Sequence, residues 1–171
     1  MTKSLNRLAT MLAVVVTGAC ADSDASTTLD PAFSSNTSPE LVECPVDVTR
    51  STQGNVLPLG GSVTLDGHSV SVPMGAVLLP TDIGISAPAG QYMQINLSAN
   101  GQDHYQFRAP LTVTLSYARC SRANIDKGPL SVWLVDEETG ALLQNMGGVD
   151  DKQARTVTFT TDHFSGYAIA N

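Results

Sequence analysis

The sequence predicts an all-β fold: an antiparallel β-sandwich of about nine short strands, preceded by a signal peptide and a flexible tether. Three observations carry that expectation. Apolar residues alternate with polar ones in short runs, and no stretch keeps a helical period. Turn residues (Gly, Pro, Asn, Asp) interrupt the runs at roughly 8–12-residue intervals, the pattern of a sandwich or barrel. Finally, 171 residues with 42% apolar content supply one core of ordinary size and not two.

Lys3 and Arg7 form a short positive region at the start, and Leu8 to Val16 is apolar except for Thr10, too short to cross a bilayer. Thr17-Gly18-Ala19-Cys20 follows and resembles the lipobox of bacterial lipoproteins, in which a peptidase cuts before a cysteine that carries lipid. Residues 1–19 are therefore expected to be a lipoprotein signal peptide and Cys20 the lipid attachment site. Thr17 departs from the usual Leu of that motif. The alternative is an ordinary secretory signal cut near Ala19 or Ala21, with Cys20 incidental.

Residues 20–43 read as a disordered tether. Asp, Ser, Thr, Asn and Pro dominate, and Leu29, Phe33, Leu41 and Val42 are scattered without period. Such a stretch buries too little surface to offset its ordering entropy. A flexible spacer of this length spans about 25 Å. The folded domain is then expected over residues 44–171.

Charged residues are only 15% of the chain and the formal net charge is −7. Losing Lys3 and Arg7 with the leader makes it −9. Phosphate neutralisation needs clustered Lys and Arg, so nucleic acid is not an expected partner. The expected partners are a membrane, through the lipid, and an unidentified envelope or extracellular protein. The expected location is the bacterial cell envelope as an outer-membrane lipoprotein, or otherwise the periplasm or exterior.

With Cys20 lipidated, Cys44 and Cys120 remain, and an even remainder in an oxidising compartment favours a disulfide. A metal site or a catalytic thiol is the competing reading. Neither cysteine has a Cys-x-x-Cys partner or a nearby His.

The strands follow in order. Val63 and Leu65 alternate, Asp66-Gly67 is a hairpin turn, and Val70 and Val72 alternate after it. Pro73, Gly75 and Pro80 interrupt the chain. Ile83 and Ile85, then Met93, Ile95 and Leu97, give two more strands, and Asn100-Gly101 marks a turn. Tyr105 and Phe107 precede Pro110, which is expected to bound the next strand, Leu111 to Tyr117. Leu130 to Val135 is a short apolar strand with Trp133. Asp136 to Gly140 and Gly147 to Lys152 read as turns flanking Leu142 and Leu143. Val157 and Phe159, then Tyr167 and Ile169, close the chain.

Three of these stretches resemble the ZU-five family, named for the zonula occludens protein and the uncoordinated-five netrin receptor and present also in ankyrins. The first is Gly60-Gly61-Ser62-Val63-Thr64-Leu65 with Val70-Ser71-Val72-Pro73-Met74-Gly75-Ala76. The second is Phe107-Arg108-Ala109-Pro110-Leu111-Thr112-Val113-Thr114-Leu115, and the third is Asp162-His163-Phe164-Ser165-Gly166-Tyr167-Ala168. The resemblance covers residues 54 to 171, with Met74 where the family usually has Pro. It implies a β-sandwich used for protein contact or as a spacer, and exported bacterial proteins use the module singly behind a lipobox.

His163-Phe164-Ser165 is where chemistry could reside. Some relatives of that family cut their own chain between Phe and Ser: the Ser hydroxyl attacks the preceding carbonyl while the neighbouring His, here His163, can take its proton, an ester forms, and water opens it. The plainer reading has Phe164 filling core, His163 bonded to backbone and Ser165-Gly166 shaping a strand entry. His68, His104 and His163 lack a ligand-spaced partner, so no metal is expected. Asp136-Glu137-Glu138 and Asp150-Asp151 are expected to be solvated turn carboxylates and not calcium ligands. No phosphate loop or dinucleotide fingerprint is present, and no cofactor is expected. A non-enzymatic sandwich mediating contact or spacing is the leading expectation; self-processing and carbohydrate binding, through Trp133 and the tyrosines, are the alternatives.

Overall fold

The computed structural model describes residues 38–121 and 125–171. The expected leader, Cys20 and the tether up to residue 37 lie outside them. Within them the fold is all-β, with every strand pair antiparallel. One six-stranded sheet has the order β10 (Leu142–Gly147), β9 (Ser131–Val135), β13 (Gly166–Ala170), β7 (Gln94–Ala99), β5 (Thr81–Ala87), β2 (Arg50–Val56). The five-stranded sheet has the order β11 (Val149–Asp151), β12 (Thr156–His163), β8 (Gln106–Ser116), β4 (His68–Val72), β3 (Gly61–Leu65). The short strands β1 (Glu43–Val46) and β6 (Gly90–Tyr92) pair with each other.

The sandwich follows from the alternation. Thr81, Ile83, Ile85 and Ala87 of β5 are buried, with half-buried residues between them. Ile95, Leu97 and Ala99 do the same on β7, and Phe107, Leu111, Val113 and Leu115 on β8. One core cluster gathers side chains from both sheets. Rings link the layers: Phe159 of β12 lies 5.0 Å from Tyr167 of β13, and Phe107 meets Phe164 edge-on at 4.6 Å.

The described residues form thirteen strands where about nine are expected. β2 (Arg-Ser-Thr-Gln-Gly-Asn-Val) has a single large apolar residue, yet it pairs with β5 in unbroken register from Arg50–Ala87 to Val56–Thr81. An edge strand of this kind is held by its ladder, so hydrophobic alternation does not reveal it. β1, β6 and β11 are too short to show a period. The expected turn over Gly147–Lys152 contains β11: the chain passes from one sheet to the other at Gly147 and Gly148, both at positive φ, and reverses only after β11, at residues 152–155.

Pro110 does not bound a strand. It lies inside the eleven-residue β8, where pairing with β12 slips between Leu111–Thr161 and Gln106–His163. The missing N–H falls at an irregularity of the ladder, which is where a strand tolerates proline.

The expected start of the domain at Cys44 is also corrected. Leu41 bridges to Ala170, and Val42 is fully buried. Val42 N donates to Ile169 O at 2.9 Å, and Val42 O accepts from Met93 N at 2.9 Å. Residues 40–43 thus add to the sheet; the polar composition around them hides two apolar residues that find partners only in three dimensions.

The registers define two ends. At the near end the chain enters at Leu41 beside Ala170, Arg50 pairs with Asp66, and Cys44 lies beside Cys120. At the far end are the β2–β3 turn, the β4–β5 loop, the Asn100-Gly101 turn and the β9–β10 turn. Both predicted two-residue turns form with positive φ, at Asp66 and Gly67 and at Asn100 and Gly101.

Candidate functional site

Cys44 and Cys120 form a disulfide with their Cα atoms 4.3 Å apart across 76 positions of sequence. The bond joins β1 to the turn after β8 at the near end. Arg155, at φ 57°, locks that turn by donating to Ala118 O at 2.7 Å and Cys120 O at 3.0 Å. The metal-site and catalytic-thiol readings of this pair are thereby replaced by a covalent staple.

The tripeptide His163-Phe164-Ser165 carries the chain from one sheet to the other: His163 ends β12, and Gly166 begins β13. Phe164 is fully buried against Phe107, and its N–H donates to Tyr105 O at 3.1 Å. The His163 carbonyl accepts from Tyr167 Oη at 2.8 Å and Thr161 Oγ1 at 2.9 Å. Its ring Nδ1 lies 3.1 Å from Asp162 Oδ1 and 3.4 Å from Thr161 Oγ1. Burial raises the Tyr167 phenol above its ordinary value, while the Asp162 carboxyl, bonded by His163 and Gln106, is held below its own.

Ser165 is buried and lines a cleft of about 340 Å³ together with Asp103, His104, Val135, Asp136, Glu137, Glu138 and Leu143. The histidine that shares this cleft with Ser165 is His104, from the connection before β8. Sequence proximity pointed to His163 because it cannot show which loop folds over a sheet crossing. Glu137 accepts from Asn96 Nδ2 at 3.1 Å. Burial, then the charge of Asp103, pushes its carboxyl up. Asp136 instead turns inward on its own loop, accepting from Thr139 N and Thr139 Oγ1, both at 2.7 Å, and those bonds hold it below its ordinary value.

Asp150 is not the solvated carboxylate expected. Its side chain is 7% exposed and accepts from Tyr117 Oη at 2.6 Å, Leu130 N at 2.9 Å and Lys152 Nζ at 2.9 Å. Burial alone would raise it, but these donors outweigh burial and hold the carboxyl below its ordinary value. Lys152 also donates to Ile125 O and Gly128 O, so the group anchors the loop before β9. His68 is buried too. Its Nδ1 accepts from Ser116 N at 3.1 Å, and burial, then the charge of Arg119, pulls it down to about 4. Trp133 is half-buried, with its indole N–H enclosed.

No family model matches the chain, and no curated protein matches it.

Proposed function

We propose that the protein is an exported, lipid-anchored β-sandwich that mediates contact with another protein, or holds a spacing, at the bacterial cell envelope without turning over a substrate. The observation that carries this reading is the Cys44–Cys120 bond. Disulfides of this kind persist in oxidising compartments, which is where a leader such as residues 1–19 delivers a chain. It leaves Cys20 as the remaining cysteine, in the sequence context of a lipobox.

The three stretches that resemble ZU-five domains support a contact module. Gly60-Gly61 and Pro73-Met74-Gly75 build adjoining far-end turns, Phe107 to Leu115 lies in the long strand β8, and His163-Phe164-Ser165 makes the sheet crossing. The buried ionisable groups His68 and Asp150 support it as well, because each is taken up in fixing a loop. Self-processing at Phe164–Ser165 remains the second reading, favoured by one observation: Ser165 shares its cleft with His104, a side chain able to accept the hydroxyl proton.

Fractionation of the native host tests the anchor. The wild-type chain is expected in the membrane fraction and in the detergent phase, and Cys20→Ser in the soluble fraction. Unchanged partitioning of Cys20→Ser would overturn the lipid-anchor reading.

A further inference from the structure

The far end of the sandwich combines two surfaces. The first is apolar. Leu57, Leu59, Met74, Leu78 and Leu79 are all exposed, Leu59 at 79% and Met74 at 74%. They sit on the β2–β3 turn and the β4–β5 loop, which Gly75 N ties together by donating to Pro58 O at 2.8 Å. Neither segment carries a charged residue: none occurs between Arg50 and Asp66, nor between Asp66 and Asp82. Single exposed aliphatics are ordinary, whereas five on two bonded loops form a patch of the kind that marks an interaction site.

The second surface is acidic. Asp82, Asp103, Asp136, Glu137, Glu138 and Asp162 all lie at this end, and Asp103 and Asp136–Glu138 wall the cleft that holds Ser165. The two surfaces are joined by the Asn100-Gly101 turn, whose Asn100 N and Oδ1 both bond to the Asp82 backbone, at 2.8 and 3.0 Å. Arg108 is the one Lys or Arg at this end among the described side chains; Arg50, Arg119, Lys152 and Arg155 lie toward the other. The charge of the domain is therefore unevenly divided between its ends.

We infer that the far end is the docking surface for a protein segment bearing aliphatic and cationic side chains, the aliphatic ones on the Leu57–Leu79 patch and the cationic ones toward the Asp103–Glu138 cleft. The inference rests on the contact-module reading and names the chemistry of its partner. Charge complementarity selects this occupant. A second copy brought end to end would set one acidic cleft against another. A lipid surface is met by Trp, Tyr, Lys and Arg, and the two apolar loops contain none of these. The far end also lies opposite the point where residues 38–41 enter, so covalent attachment leaves it clear.

The test uses the full chain carrying Cys20→Ser, so that its outcome does not depend on the anchor. Binding is measured to short synthetic peptides of alternating Leu and Lys, Leu and Glu, and Ser and Lys, and to vesicles of phosphatidylcholine with and without phosphatidylglycerol. The Leu-Lys peptide is expected to bind saturably, at least tenfold more tightly than either control, and more weakly as salt rises. Leu59→Ser with Leu79→Ser is expected to weaken it at least fivefold, and so is Asp103→Asn with Glu138→Gln. Val149→Ser, an exposed aliphatic on β11, is expected to leave it unchanged. Melting curves check that each variant folds, and the single changes Leu59→Ser and Met74→Ser replace the double variant if it does not. Equal binding of the Leu-Glu peptide, indifference to the far-end variants, or vesicle binding or dimerisation abolished by Leu59→Ser in place of peptide binding would overturn the inference. Loss of the Leu-Lys interaction together with normal membrane fractionation of the wild type would count against this surface and leave the envelope reading standing.

Discussion

His68 shows how one side chain couples this fold to pH. It closes the β3–β4 hairpin beside Leu65, buried and neutral, and Ser116 N needs its ring nitrogen as an acceptor. A proton on that nitrogen would replace acceptor by donor and place a charge beside Arg119. The folded value is lowered to about 4 from an ordinary 6.5. The stability it contributes is therefore fully present above about 6.5 and is lost as pH falls toward 4, because the unfolded chain binds the proton first. Over that window the slope approaches about 1.4 kcal/mol per pH unit. Chemical denaturation from pH 7 to pH 4 is expected to show it, and His68→Gln, which retains an acceptor, is expected to flatten it. An identical pH profile in the two proteins would refute the assignment. None of this was legible in the sequence, where His68 only follows the Asp66-Gly67 turn and lacks a ligand-spaced partner. Its burial depends on β8 lying alongside β4, a long-range pairing that local pattern does not encode. Asp150 was misjudged for the same reason: its donors come from Tyr117, Leu130 and Lys152, on three separate segments.

Strands and turns were legible in proportion to how much apolar surface they bury. β5, β7, β8 and β12 alternate cleanly and face the core, while the edge strand β2 carries its information in backbone pairing. Glycine spacing identified the corners but not what each glycine does. Gly60, at φ 92°, ends the β2–β3 turn, and a Cβ there would stand 2.6 Å from Val72 O. Gly75, at φ 80°, has no atom within 4 Å of such a Cβ. Gly75→Ala is therefore expected to cost only the left-handed backbone conformation, about 1 kcal/mol. Gly60→Ala adds a collision with backbone that cannot move aside, and an expected loss of about 3 kcal/mol. Urea denaturation of the two variants measures the difference, and equal losses would show that the β2–β3 turn yields to the added methyl.

Considered as a whole, the described fold is closed where its first and last segments meet. The entering chain bonds to both sides of the C-terminal region: Val42 N to Ile169 O, Asn171 N to Glu40 O, and Glu40 N to Asn171 Oδ1. The disulfide then fixes that entry to the end of β8, and the chain-entropy model assigns a loop of this length about 4.5 kcal/mol. The final strand β13 is central in its sheet, between β7 and β9, with Gly166 through Ala170 all buried. A sequence shows a last strand as last, and only the topology shows it as central. That placement bears on the Phe164–Ser165 bond. Cutting it would sever β13 from β12 and leave it held in place by its ladders to β7 and β9. Release of the piece would expose Tyr167 and Ile169, each worth about 2 kcal/mol of burial, and would open the middle of the six-stranded sheet. A domain of ordinary stability, about 5–15 kcal/mol, has little margin for that loss. The mature chain is therefore expected to remain whole. Denaturing mass spectrometry of the purified protein decides the matter: one intact mass is expected, unchanged by Ser165→Ala apart from the lost oxygen. A fragment ending at Phe164 in the wild type, absent from Ser165→Ala and slowed in His104→Ala, would establish instead that the cleft at the sheet crossing performs the cut and that β13 stays bound by its ladders alone.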